Sequence, residues 1–356
     1  MDSLDGKRIV LIGGAGFIGH HLALGLARCG AHVEIVDSLR VNNLLSIASS
    51  DPQAHNRALY LQIVRERLSL LRDAGIRLHT QDARDYHALS RLLKRIRPDV
   101  LIHLAAVAHA SLSNKDPHST FDHSLRTLEN ALDNARSKGL SVQHFVYFSS
   151  SMVYGNFPTE VATEETPCDP IGIYGALKLA GERMVIAYHQ VFDLPYTIIR
   201  PSALYGERCV SRRVGQVFIE NALQGLTVTV QGDGSDRLDF TYVDDLVLGV
   251  MNVLTHERAR NQVFNLTYGQ SRSIADLTNI LVESFPDVDI VHLPRDRLMP
   301  TRGTLSIDKA RSLIGYRPRH CLERGFMKYI EWYKAAWRAL PQPERHTILG
   351  VEVPVA

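Results

Sequence analysis

The sequence is short of cysteine. Its four, Cys29, Cys168, Cys209 and Cys321, lie far apart and form no C-x-x-C pair, so neither a disulfide framework nor a cysteine-based metal site is indicated. Long apolar runs are missing too: none approaches the about 18 residues that read as a membrane span. The acidic start Met1-Asp2-Ser3-Leu4-Asp5 lacks the basic opening of a secretory signal. The expectation is a cytoplasmic protein that neither enters a membrane nor carries a metal. Net charge is nearly absent as well, +2 over 356 residues, too little to argue for nucleic acid or an anionic membrane as partner. What remains, 45% hydrophobic and 22% charged, suits a globular chain with one large domain or two unequal ones.

Residues 8 to 149 alternate short apolar runs with longer helical patterns, the signature of βα units building a parallel sheet, and hence of an α/β fold. Candidate strands are Arg8 to Ile12, His32 to Val36, Ile76 to His79, Val100 to Leu104 and His144 to Phe148. Between the second and third lies an unusually long segment in which Asp51 can cap a helix, Pro52 sits in its first turn and Gly75 ends it. An inserted helix over 52–74 follows, with Leu59, Ile63, Leu68 and Leu71 as its packing face. After Arg200 the elements become shorter and richer in Gly and Pro. That predicts a nucleotide-binding domain over 1–200, a smaller lobe over 201–340 with some segments returning to the first domain, and a loosely patterned tail at 341–356.

The first strand runs directly into Gly13-Gly14-Ala15-Gly16-Phe17-Ile18-Gly19 and then a helical stretch. Glycines are required where backbone must turn tightly, approach a pyrophosphate and pack helix on strand, with the phosphates at the helix N-terminus. Asp37 ends the second strand, where a carboxylate can accept hydrogen bonds from the adenosine ribose and repel a 2′-phosphate. The pattern favours NAD; Arg40 nearby could neutralise such a phosphate, so NADP stays open.

Tyr174 and Lys178 stand four apart at the start of a helical pattern and share one helix face. A phenol with a pKa of about 10 is a poor base at neutral pH, but a nearby ammonium and a nicotinamide cation favour its phenolate. Ser150, at a strand end, can hydrogen-bond the reacting oxygen beside it. A tyrosine and a lysine at this spacing are by themselves commonly an exposed pair; with the glycine turn, Asp37 and the serine-rich strand end they read as a catalytic triad.

With these motifs the sequence resembles the nucleotide-sugar epimerase and dehydratase branch of the extended short-chain dehydrogenase/reductase family. Further marks are His103-Leu104-Ala105-Ala106, Ser149-Ser150-Ser151-Met152-Val153-Tyr154-Gly155, Arg200-Pro201 with Tyr205-Gly206, Asp239-Phe240-Thr241-Tyr242-Val243-Asp244-Asp245 and Gly315-Tyr316-Arg317-Pro318. The resemblance implies a Rossmann-like doubly wound sheet with a smaller C-terminal substrate lobe. It implies a retained NAD held by Gly13, Gly16, Phe17, Ile18, Gly19, Asp37, Asp82, Ala83, Leu104, Ala105, Ala106, Ser124, Tyr174 and Lys178. It also implies a homodimer through helices near 120–138 and 174–190.

Dehydratases and decarboxylases of the branch carry acidic residues directly after the triad Ser/Thr, where this chain has Ser151 and Met152. A thioether cannot donate or accept the required proton. What remains is 4-epimerisation of a nucleotide sugar through a 4-keto sugar; the alternatives are a dehydrogenase that releases the keto sugar and a non-catalytic dinucleotide-binding protein. The branch usually has an Asn where Ala203 stands and an Arg where Leu238 stands. Substrate-binding candidates are Ser150, Arg213, Arg237 and Arg302, with Arg208 and Arg212 as further diphosphate candidates, because arginine forks suit phosphate oxygens. His109 and Ser113 fall near the expected sugar position, while Met152, Phe326, Trp332 and Trp337 read as packing residues.

Overall fold

A computed structural model describes residues 3–51, 53–107, 110–140, 142–296 and 298–340. A parallel sheet of seven strands runs β1 (Arg8–Ile12), β2 (His32–Asp37), β3 (Arg77–Thr80), β4 (Val100–His103), β5 (His144–Phe148), β6 (Tyr196–Arg200) and β7 (Gln262–Asn265) in chain order. Their spatial order is β7-β6-β5-β4-β1-β2-β3, so the chain reverses direction between β1 and β4, where open α/β sheets place their ligands. β1, β4, β5 and β6 are buried almost throughout, as a sheet covered on both faces requires. All five expected strands are present, with β2 one residue longer, β3 one residue later and β4 one shorter than the pattern suggested. β6 ends at Arg200 and β7 lies beyond it; the two complete one edge of the sheet.

Beyond the sheet the chain forms two-stranded pieces: Val228–Gln231 with Ile290–Leu293, Arg237–Leu238 with Arg272–Ser273, and Leu204–Tyr205 with Thr241–Tyr242. They pack with helices around the aromatic cluster of Tyr205, Phe326, Tyr329 and Tyr333. Phe326 is fully buried there and Trp337 nearly so, as expected of packing residues.

Five helices matter for the site: α1 (Phe17–Arg28), α2 (Arg57–Asp73), α3 (Gly172–Phe192), α4 (Val214–Leu223) and α5 (Leu322–Arg338). The inserted helix α2 starts later than expected. Asp51 accepts a bond from the Gln53 backbone in a turn, and Asn56, at φ +61°, breaks any continuation backwards. The Asn56 amide is drawn instead to Glu220 of α4 at 2.8 Å. Pro52 lies outside the described residues, as do His109 and the tail 341–356. The packing face holds: Leu59, Ile63 and Leu71 are buried and Leu68 is partly so.

α3 lies close on β5 because two glycines permit it. A Cβ at Gly181 would stand 2.2 Å from the Tyr147 hydroxyl, and one at Gly175 2.7 Å from the Met152 carbonyl. A buried ion pair ties α3 to the neighbouring strand: Arg200 at the end of β6 meets Glu182 of α3 at 2.6 and 2.9 Å, with side chains 6% and 3% exposed. Ser149 donates to Glu182 at 2.5 Å, and Arg200 also donates to the Tyr154 hydroxyl, which donates to Asn265 of β7. Removing one partner of such a pair strands the other charge. Arg200→Met is therefore expected to lower unfolding free energy by about 3 kcal/mol or more, and the double replacement with Glu182→Met by less. Urea denaturation checks this; a loss below about 1 kcal/mol for the single variant contradicts it.

Candidate active site

Two adjoining clefts open at the carboxyl ends of the strands. The first, about 120 Å³, is lined by Gly13, Gly16, Phe17, Ile18 and Gly19 of the turn, by Asp37, and by Asp82, Ala83, Leu104, Ala105 and Ala106. Local geometry explains the glycines: Gly13 has φ +80° and a Cβ there would stand 2.6 Å from the Ala105 nitrogen. A Cβ at Gly19 would meet the Gly14 carbonyl at 2.4 Å, so α1 packs directly on the turn. The Asp37 carboxylate accepts from the Ala15 N–H at 3.0 Å and the Leu39 N–H at 2.8 Å. Burial raises its pKa against those two bonds, and each oxygen keeps a lone pair for a further donor. A glycine turn at a helix N-terminus with a carboxylate across the cleft fits a dinucleotide pyrophosphate and ribose.

Three residues expected at the cofactor do not line this cleft: Tyr174 and Lys178 line its neighbour, and Ser124 lines neither. Ser124 is buried and is not among the lining residues, whereas His123 and Thr127 are. The chain makes a π-helical turn over Asp122–Arg126, and its extra residue rotates the positions offered to the cleft. Asp82 reaches the cleft with its carboxylate already forked by Arg84, at 2.7 Å for the shortest contact.

The second cleft, about 440 Å³, holds Ser150, Tyr174 and Lys178 together with Arg213, Arg237 and Arg302. It shares Ile18, Leu104, Ala106 and Arg213 with the first, so the cleft that holds the triad adjoins the dinucleotide cleft. Lys178 is buried and its ammonium donates to the Phe148 carbonyl at 2.6 Å, 6.0 Å from the centre of the Tyr174 ring. Burial pulls its pKa down to about 8, with Glu182 opposing. Tyr174 is pushed up by burial. Two groups act against that rise, the Arg213 charge first and the Ser150 hydrogen bond second. Ser150 is fixed in turn by accepting from the Met152 N–H at 3.2 Å.

Each arginine candidate has a definite place. Arg213 and Arg302 each bury a guanidinium Nε without a hydrogen-bond partner among the described residues, and burial lowers Arg302 to about 10. Arg237 lines the cleft while donating to the Ser271 hydroxyl at 3.0 Å and its carbonyl at 2.6 Å. Arg212 also lines it, but Arg208 lines neither cleft and turns to His20 and Glu66. Met152 and Phe326, both read as packing residues, line the second cleft, and Ser113 is buried. Sequence reasoning missed Glu182, although it follows Lys178 by four residues on the same helix face. It also missed Gln231 and Met299, which come to the cleft from distant segments.

The chain matches the NAD dependent epimerase/dehydratase family over residues 9–267 and belongs to it. Among its relatives, the UDP-glucose 4-epimerase of Mycolicibacterium smegmatis is 30% identical over 336 residues, covering 92% of this chain and 98% of that one. The dTDP-glucose 4,6-dehydratase of Streptomyces antibioticus is 28% identical over 341 residues, covering 92% and 93%. The crystal structure of UDP-glucuronic acid 4-epimerase from Bacillus cereus, in complex with UDP-glucuronic acid and NAD, superposes with a TM-score of 0.81 at 25% identity, covering 92% and 99%.

The electrostatics give a direct expectation. A cation beside a phenol favours its charged form, so removing the cation must raise the phenol's pKa and confine the phenolate to higher pH. Arg213→Met should move the ionisation of Tyr174 upward, read by ultraviolet tyrosinate absorbance with Tyr174→Phe as the blank. An unchanged or lowered titration contradicts the assignment.

Proposed function

We propose that this chain is an NAD-dependent sugar-nucleotide epimerase inverting C4 through a transient 4-keto sugar, with 1–200 binding the dinucleotide and 201–340 mainly the substrate. The observation that carries the reading is the position of Tyr174 in the second cleft, which adjoins the dinucleotide cleft through Ile18, Leu104, Ala106 and Arg213, in a cavity with no free acid. Among the described residues lining the second cleft the one carboxylate is Asp236, and it is paired with Arg295 at 2.9 Å. Eliminating water from the sugar needs a titrating acid beside the triad; Ser151 and Met152 supply none. The relatives include both 4-epimerases and a 4,6-dehydratase, and this difference places the chain with the former.

Bound NAD supplies reversible hydride acceptance. Gly13, Gly16 and Gly19 accommodate its pyrophosphate, and Asp37 its adenosine ribose. Tyr174 takes the C4 hydroxyl proton while Ser150 holds that oxygen. Lys178, fixed by the Phe148 carbonyl, holds the nicotinamide ribose from a buried position. Arg213, Arg237 and Arg302 receive the diphosphate, their forks matching its oxygens. The ketone turns over within the cavity, so that the hydride would come back to the opposite face of C4, and Tyr174 returns the proton to the C4 oxygen. The reading includes a cytoplasmic homodimer, supported by the exposed apolar Phe121 and Val191 on helices of the expected interface.

Purified protein incubated with UDP-, dTDP-, GDP- and CDP-sugars should interconvert one C4 pair with no stoichiometric NADH. Tyr174→Phe should lose at least about 10²-fold in turnover, the scale of general acid–base catalysis, while still binding NAD. Near-normal turnover in that variant, or NADH formed in proportion to product, would sink the proposal.

A further inference from the structure

Two consecutive histidines on α1 hold two consecutive residues of the loop Glu207–Arg213. His21 donates through Nε2 to the Glu207 carbonyl at 3.0 Å. His20 is fully buried, with Nδ1 3.0 Å from the Gly16 carbonyl and Nε2 3.0 Å from Arg208 Nε. A guanidinium can only donate and a carbonyl can only accept, so the tautomer follows: His20 carries its proton on Nδ1 and accepts Arg208 on Nε2. Gly16 is the last residue before α1 begins, so the bond ends on the glycine turn itself.

The inserted helix grips the same loop residue from the other side. Glu66 accepts from Arg208 Nη1 at 3.1 Å, and Arg67, 1% exposed, donates to the Arg208 carbonyl through both Nε, at 2.8 Å, and Nη2. Arg208 is held at φ +63°, a conformation that costs an L-residue about 1 kcal/mol and persists only where its surroundings fix it. Three residues on, Ser211 lines the dinucleotide cleft, and Arg213 lines both clefts. A side chain outside both clefts thus joins the inserted helix, the glycine turn and the loop that borders the dinucleotide.

We propose that Arg208 is a positioning residue for the cofactor: through His20 and Glu66 it locks the loop Glu207–Arg213 against the glycine turn, so that Ser211 and Arg213 close over bound NAD and slow its release. The inserted helix α2 is then a brace for cofactor retention. Burial supports the arrangement by holding His20 well below the usual histidine pKa, which keeps Nε2 free to accept. The inference rests on the dinucleotide cleft alone, not on which sugar nucleotide enters its neighbour, so it can fail while the epimerase reading stands, and the reverse.

The test measures NAD release from purified holoenzyme into excess ADP-ribose, for wild type, Arg208→Met, Arg208→Lys, His20→Ala and the Arg208→Met/His20→Ala double variant, with the unfolding temperature of each cofactor-free protein alongside. Losing one charge-assisted bond should speed release about ten-fold in Arg208→Met and in His20→Ala. The double variant should add no more than about two-fold, because both replacements break one link. Arg208→Lys should fall between, and these rates should not follow the unfolding temperatures. Release within about two-fold of wild type in Arg208→Met, or effects that multiply in the double variant, overturns the proposal. Should Arg208→Met fail to fold, Glu66→Gln and His20→Ala carry the test: faster release supports the lock and unchanged release overturns it.

Discussion

The centre of this molecule depends on the ion pair between Arg200 and Glu182. It fastens the helix that bears Tyr174 and Lys178 to the end of the strand that opens the second cleft. Two buried charges are expensive to desolvate, and such a pair is weak evidence of net stability; its value here is positional. Glu182 also draws the Ser149 hydroxyl, and Arg200 reaches Tyr154 and through it Asn265, so β5, β6, β7 and α3 are tied at one level of the sheet. Lys178 follows from that placement. Its ammonium, 5.2 Å from the Tyr147 ring centre, has the Phe148 carbonyl as its fixed partner, and the residue lines the second cleft.

Two clefts with a common wall are what hydride chemistry on a sugar requires. One must hold a dinucleotide rigidly, and here glycines, Asp37 and the first turn of α1 make a close-fitting slot. The other must let a ketone turn between faces, and it is more than three times larger. Arg213 borders both, which connects the charge that favours the Tyr174 phenolate with the loop that Arg208 pins to the glycine turn. Proton chemistry and cofactor hold thus share one stretch of backbone, in which both Arg208 and Arg212 take left-handed conformations.

Much of this was legible because it is local in sequence. The glycine turn, Asp37 at a strand end and the Tyr174–Lys178 spacing need only one turn or one helix face to be read. The π-helical turn over Asp122–Arg126 hid the exchange of Ser124 for His123 and Thr127, since helical counting assumes a regular period. Asn56 looked like an ordinary residue within a helix, yet it takes a left-handed conformation because its amide is buried against Glu220, 164 positions away. The Arg200–Glu182 pair and the approach of Arg213 to Tyr174 join segments that only the folded sheet brings together. No spacing rule reaches them.

In a 4-epimerase of this build the sugar's C4 hydrogen never leaves the enclosed space where the clefts meet, while only the hydroxyl proton passes through Tyr174. Turnover of a mixture of C4-deuterated and unlabelled sugar nucleotide, analysed by mass spectrometry at partial conversion, tests this most directly. Deuterium kept at C4 of the inverted sugar, with no transfer to unlabelled molecules, is the predicted result; label lost to water or scrambled between substrate molecules would contradict it.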